Sequence, residues 1–139
     1  MTRGGPRKAV DDQFWAGRLE NARAFRDAAH QAAVLAEPGQ NANPLVSHIV
    51  SAAVGYADAV TACYGGVVNQ QDHQMVGKAV RAALGNRADD GALRRLGRIL
   101  REKDAAQYGA RAGRLEHARQ LLDDLDALAA GAERELARA

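Results

Sequence analysis

Arg111 and His117 have five residues between them, and together they supply the groups needed for metal-free RNA cleavage. A histidine that titrates near neutral pH can take the proton from a ribose 2′-hydroxyl. An arginine nearby can hold the phosphate as negative charge builds on it. The segment Arg111-Ala112-Gly113-Arg114-Leu115-Glu116-His117 places the arginine in a linker and the histidine in the first turns of the next helix. The same spacing also arises on an ordinary helical surface in an arginine-rich chain, so a structural reading stands beside the catalytic one.

Two further groups of residues invite a chemical reading. Arg94, Arg98 and Arg101 step by four and three, which puts them on one helix face, with Arg95 beside them. Like charges so placed repel unless something answers them. A nucleic-acid phosphate is one answer. The acidic residues Asp123, Asp124 and Asp126 of the last helix are another. The second group is a polar line, His48, Ser51, Gly55 and Asp58, across an otherwise apolar segment. A carboxylate on a buried helix needs a partner. Lys103 continues the apolar face of the fourth helix and is the expected partner, with His73 or Tyr108 beside it. Such a cluster reads either as a polar clamp fixing helix register or as a small-ligand pocket.

No GxSxG, Walker loop, GxGxxG, HExxH or CxxC occurs. The histidines are His30, His48, His73 and His117, and no two have the i, i+4 spacing of a helical metal site. No metal and no cofactor is expected. Cys63 is the only cysteine, so neither a disulfide nor a cysteine-based zinc site forms within one chain. Met1 to Val10 has charge but no apolar segment behind it, unlike a signal peptide. The apolar stretch Pro44 to Tyr64 is interrupted by polar residues and is not expected to span a membrane. The expected location is the cytoplasm.

The net charge of +2 conceals an uneven distribution. Residues 1–71 carry six basic and six acidic side chains. Residues 72–119 carry eleven basic and six acidic, a net +5, and residues 120–139 carry two basic and five acidic, a net −3. A local basic surface is compatible with the near-neutral total.

The elements that must position these residues are helices. The chain of 139 residues suits one domain. Alanine, leucine, arginine and glutamate dominate, and prolines number three. The expected fold is all-α, an up-and-down bundle of four to five helices over residues 11–139, with a disordered basic tail at 1–10. Helix one should run from about Asp11 to Glu37, with apolar residues at Trp15, Leu19, Ala22, Phe25 and Ala29. Asn43-Pro44 should open helix two, a central buried helix ended by Gly65-Gly66. Asp72 can cap helix three. Helix four should hold Leu93, Leu96, Ile99 and Leu100 and end near Tyr108-Gly109. Helix five has the stripe Leu115, Ala118, Leu122, Leu125, Ala129, Ala132 and Leu136. So many small side chains make a thin core, which a second copy of the chain would help to bury.

Three segments together resemble the HEPN superfamily. They are Ser51 to Val60, then Gln71 to Val76, then Leu93 to Leu100 leading into Lys103 to Tyr108. A bacterial HEPN-like group has an Asp-Ala pair late in its second helix, an Asp-His opening the third, and a Lys shortly before a Tyr ending the fourth. Asp58, Asp72, His73, Lys103 and Tyr108 match those positions. The resemblance implies an all-α bundle, often dimeric, associated with RNA cleavage, toxin–antitoxin pairs and defence. It also implies that Arg111 and His117 could be the catalytic pair of the nuclease branch. Ala112 departs from that branch, which has a polar residue after its Arg.

Three functions follow as expectations. The first is an RNA-associated binding module of a stress, toxin–antitoxin or defence system, working as a homodimer. The second is a metal-independent endoribonuclease using Arg111 and His117. The third is a non-catalytic bundle that pairs with a protein such as an antitoxin or a nucleotidyltransferase.

Overall fold

Asp11 is where the helical body begins. Its Oδ1 accepts a hydrogen bond from the Phe14 amide at 3.0 Å, which satisfies a donor that the first helical turn leaves unpaired. The computed structural model describes residues 7–69 and 75–139. Over these residues the chain is an all-α bundle. Its helices are α1 (Asp12–Leu35), α2 (Asn43–Gly65), α3 (Val76–Leu84), α4 (Asp90–Leu100), α5 (Lys103–Tyr108) and α6 (Leu115–Ala137). A single 3₁₀ turn, Gly85–Arg87, joins α3 to the residues before α4.

Helix α2 is the centre. It packs against α1, α3, α4, α5 and α6. Its Ile49, Ala52, Ala53, Tyr56 and Ala59 are fully enclosed. Burying a side chain such as Ile49 or Leu125 contributes about 1.5–3 kcal/mol, so the core that α2 shares with its neighbours is a main source of stability. Helix α2 is also long and apolar enough to cross a membrane, but 78% of its apolar window is buried within the bundle. Gly66 ends it at φ 68°, the left-handed conformation that glycine adopts without strain.

The polar line of α2 is the seam with α1. Three pairs mark an antiparallel crossing: Arg18 with Asp58, Ala22 with Gly55, and Phe25 with His48. At its middle the two backbones come very close. A Cβ on residue 55 would lie 2.8 Å from the Ala22 Cβ and 3.1 Å from its Cα. Only glycine fits there. The Phe25 and His48 rings pack with centroids 6.5 Å apart.

The structure revises three expectations about the elements and leaves a fourth outside the described residues. First, the tail does not extend to residue 10. Arg7–Ala9 forms strand β1, which pairs antiparallel with β2 (Val67–Asn69). Val68 is buried beneath it, and the Val10 amide continues the ribbon by donating to Gly66 O at 2.9 Å. Second, Asn43 is not a cap. The Asn43 amide is answered by Asn41 Oδ1 at 3.0 Å, and the Asn43 side chain turns to the loop before α6. Third, the segment expected as helix four is divided at Arg101–Glu102. The amides of Arg101 and Glu102 tighten onto Gly97 O and Ile99 O. The break redirects the chain: α4 lies against both α6 and α2, whereas α5 packs on α2. Fourth, helix three is described from Val76, and the capping role expected of Asp72 lies outside the described residues.

Candidate nucleic-acid interface

The arginine stripe is present and partly neutralised. Arg94, Arg98 and Arg101 line one shallow concavity with Arg81 and Asp90. Arg98 grips Asp124 of α6 at two points: Nε to Oδ2 at 3.1 Å and Nη2 to Oδ1 at 2.9 Å. That hydrogen bonding, followed by the charge of Asp124, raises the Arg98 pKa. Arg81 pairs with Asp90. Arg94 and Arg101 are exposed, and no described carboxylate lies in ion-pair range of either. The concavity therefore has two answered and two unanswered guanidinium groups.

The acidic residues of α6 are shared between two neighbours. Asp124 faces α4. Asp126 faces α1, where it accepts from Arg26 Nε at 2.8 Å and lies 2.7 Å from His30 Nε2. Asp123 is exposed on the groove formed with Arg114, Arg119 and the turn after α1, and it answers none of the stripe.

Arg111 and His117 are set differently from one another. Arg111 lies in the loop between α5 and α6, and its backbone is fixed. Its carbonyl accepts from Asn43 Nδ2 at 3.0 Å. Gly113 then docks on the start of α2: its amide donates to Asn41 Oδ1 at 3.0 Å, and its carbonyl accepts from the Ala42 amide at 3.0 Å. A Cβ on residue 113 would overlap Asn43 Oδ1 and lie 3.2 Å from the Asn43 amide nitrogen, so the loop closes only around glycine. The Arg111 side chain is exposed. His117 is exposed in the first turn of α6, and its Nε2 is paired with Glu102. The imidazole is thus oriented by a carboxylate from the α4–α5 break rather than by the arginine. Nothing in the spacing of the sequence pointed to Glu102.

The expected pairing of Asp58 with Lys103 is not formed. Asp58 is 8% exposed and pairs with Arg18 Nη2 at 3.1 Å, not with Lys103. The reason is packing: α1 runs along the polar face of α2 and brings Arg18 onto Asp58. Burial pushes the Asp58 carboxyl up to about 6, and the Arg18 charge and hydrogen bond only partly oppose it. Lys103 is half-buried at the start of α5, with its Nζ 5.7 Å from the centroid of the Tyr108 ring. Tyr108 is 77% exposed. Asp72 and His73 lie outside the described residues. The Asp58 group is therefore a structural clamp between α1 and α2. The partner was legible in principle, because Arg18, Ala22 and Phe25 repeat the four-and-three spacing of the polar line that they meet.

Among the described residues no three His, Cys, Asp or Glu side chains gather as a metal site. The chemistry these residues offer is electrostatic: exposed guanidinium groups on α4, a Lys103–Tyr108 pair on α5, and a carboxylate-oriented histidine at the start of α6. No family model and no curated protein matches the chain.

Proposed function

We propose that this chain is an RNA-associated binding module of HEPN-like kind, acting as a homodimer in a stress, toxin–antitoxin or defence system. Phosphate contacts are made by the outer face of α4. One observation carries the reading: Arg94 and Arg101 are exposed, no described carboxylate pairs with either, and they sit beside Arg81 and Arg98, which carboxylates answer. Guanidinium groups grip phosphate oxygens at two points, which suits a backbone-tracking surface. The resemblance of three segments and the all-α bundle support the HEPN part of the proposal.

Salt titration tests it. Each phosphate neutralised on a single strand adds about 0.7 to the slope of log affinity against log salt. Binding of an unstructured RNA should weaken with a slope of at least about 1.4 if Arg94 and Arg101 each contact one phosphate. Affinity that is flat with salt, or absent at low salt, overturns the proposal.

The Glu102–His117 pair favours a second reading, a metal-independent endoribonuclease. In it, Glu102 orients the imidazole, His117 takes the 2′-hydroxyl proton, and Arg111 steadies the phosphate. RNA cleavage in EDTA that disappears in His117→Ala is the expected result. Unchanged cleavage in that variant removes the role.

A further inference from the structure

A second feature of the molecule adjoins the arginine concavity, with Leu93 lining both. Where α2, α3, α4 and α6 meet, the core is incompletely filled and leaves a partly enclosed cavity of about 120 Å³. Val60, Leu96, Leu128 and Ala132 are among its walls, and the lining is mainly apolar. For comparison, an apolar cavity of about 150 Å³ accepts benzene. This one accommodates a branched aliphatic group of about the size of a leucine side chain.

The rim is charged and balanced. Arg87 and Arg134 supply two positive groups, and Asp89 and Glu135 supply two negative ones. Arg87 and Arg138 lie in ion-pair range of Glu135, and Asp89 caps α4 by accepting from the Gly91 amide, but these contacts leave one rim atom without a hydrogen bond. Glu135 Oε2 is buried without a hydrogen bond, and Arg87 Nη1 is 3.7 Å away, beyond hydrogen-bond range. Arg134 is exposed, and among the described residues no carboxylate pairs with it.

Gly131 is the second sign that the space is kept open. It sits inside α6, where glycine is a poor helix residue. No close packing demands it, because a Cβ there would meet only Arg134 Nη2, at 3.9 Å. Gly131 nevertheless lines the cavity. Its missing side chain leaves the entrance clear.

We propose that this cavity binds a free aliphatic amino acid. The branched side chain fills the apolar space. The ammonium group supplies the donor that Glu135 Oε2 lacks. The carboxylate pairs with Arg134. A ligand carrying both charges suits a rim carrying both charges better than a purely cationic or anionic one.

Calorimetric titration of the full chain tests this. The probes are L-leucine, L-alanine, isovalerate and isoamylamine. The account expects saturable leucine binding, with alanine at least about tenfold weaker because most of the apolar group is gone. Isovalerate and isoamylamine each lack one charged group and should also be at least about tenfold weaker. Gly131→Leu should abolish binding while keeping the melting temperature, since it places a good helix former in open space. Arg134→Ala is a second variant should Gly131→Leu fail to fold, and it should weaken leucine at least about tenfold. No saturation with leucine, equal affinity for the singly charged probes, or undiminished binding in a folded variant overturns the proposal.

Discussion

Helix α1 carries three arginines, Arg18, Arg23 and Arg26, and each meets a carboxylate: Asp58, Glu133 and Asp126. Helix α4 carries Arg94, Arg95 and Arg98, with Arg101 at its C-cap, and described carboxylates answer only Arg98 among them. The same residue type thus fastens helices on one side of the bundle and remains available on the other. Total charge does not separate the two sides. What separates them is the placement of the acidic residues of α6: Asp126 and Glu133 are taken up by α1, and Asp124 alone serves the stripe on α4. Unanswered charge on a rigid helix is the part of this molecule best suited to an anionic partner.

If α1 is a structural strut, its seam should be the most sensitive place to perturb. Gly55→Leu forces a side chain into a space that the Ala22 methyl already fills, since even a bare Cβ on residue 55 would come within 2.8 Å of it. The expected loss is on the order of 3 kcal/mol in a urea melt. A melt unchanged from wild type would mean that the seam is loose.

The next test is pH. The folded Asp58 carboxyl sits at about 6 against an ordinary 3.8. Its folded form therefore binds protons more readily than its unfolded form. The stability this group contributes is fully present below pH 3.8 and is lost as pH rises through about 6. The gap corresponds to at most about 3 kcal/mol. Glu133 acts in the opposite sense, because its hydrogen bond with Arg23 lowers its pKa, so its contribution is lost on acidification. Subtracting the pH–stability curve of Asp58→Asn from that of wild type isolates Asp58. The wild-type advantage should grow as pH falls from 7 towards 4. A flat difference would show that Asp58 is better solvated than the seam implies.

The smallest effect sharpens the contrast between single arginines. Arg26→Ala breaks the bond to Asp126 and should lower stability by about 0.5–1 kcal/mol. Arg94→Ala breaks no ion pair among the described residues and should stay within about 0.5 kcal/mol of wild type. Equal losses in thermal melts would remove the distinction between fastening and free arginines.

The helical spacing of the apolar residues made most of the bundle legible. The stop at Gly65-Gly66 followed from local backbone chemistry. The central position of α2 followed from its being apolar nearly all round. What the sequence did not reveal depends on which elements meet. The polar line of α2 was visible, but Arg18 became its partner only because α1, not α5, lies across Gly55. The division at Arg101–Glu102 has no glycine or proline to signal it. It arises because the residues before it pack on both α6 and α2 and those after it pack on α2. The β1–β2 ribbon is three residues per strand, too short for alternation to register. At the candidate site the stripe Arg94, Arg98, Arg101 was readable from spacing, and Asp124 was among the three acidic residues offered as its answer, whereas the choice of Asp124 from the three and the capture of His117 by Glu102 needed the packing of α4 against α6.

The central claim, that the outer face of α4 binds RNA, is tested most directly by charge reversal in one titration series. Binding of a short unstructured RNA should be followed at low salt in wild type, in Arg94→Glu/Arg101→Glu and in Arg138→Glu, an exposed site at the end of α6. The account predicts at least about a tenfold loss and a shallower salt dependence in the double variant, with little change in Arg138→Glu. Equal losses in both variants, or full affinity in the double variant, would contradict it.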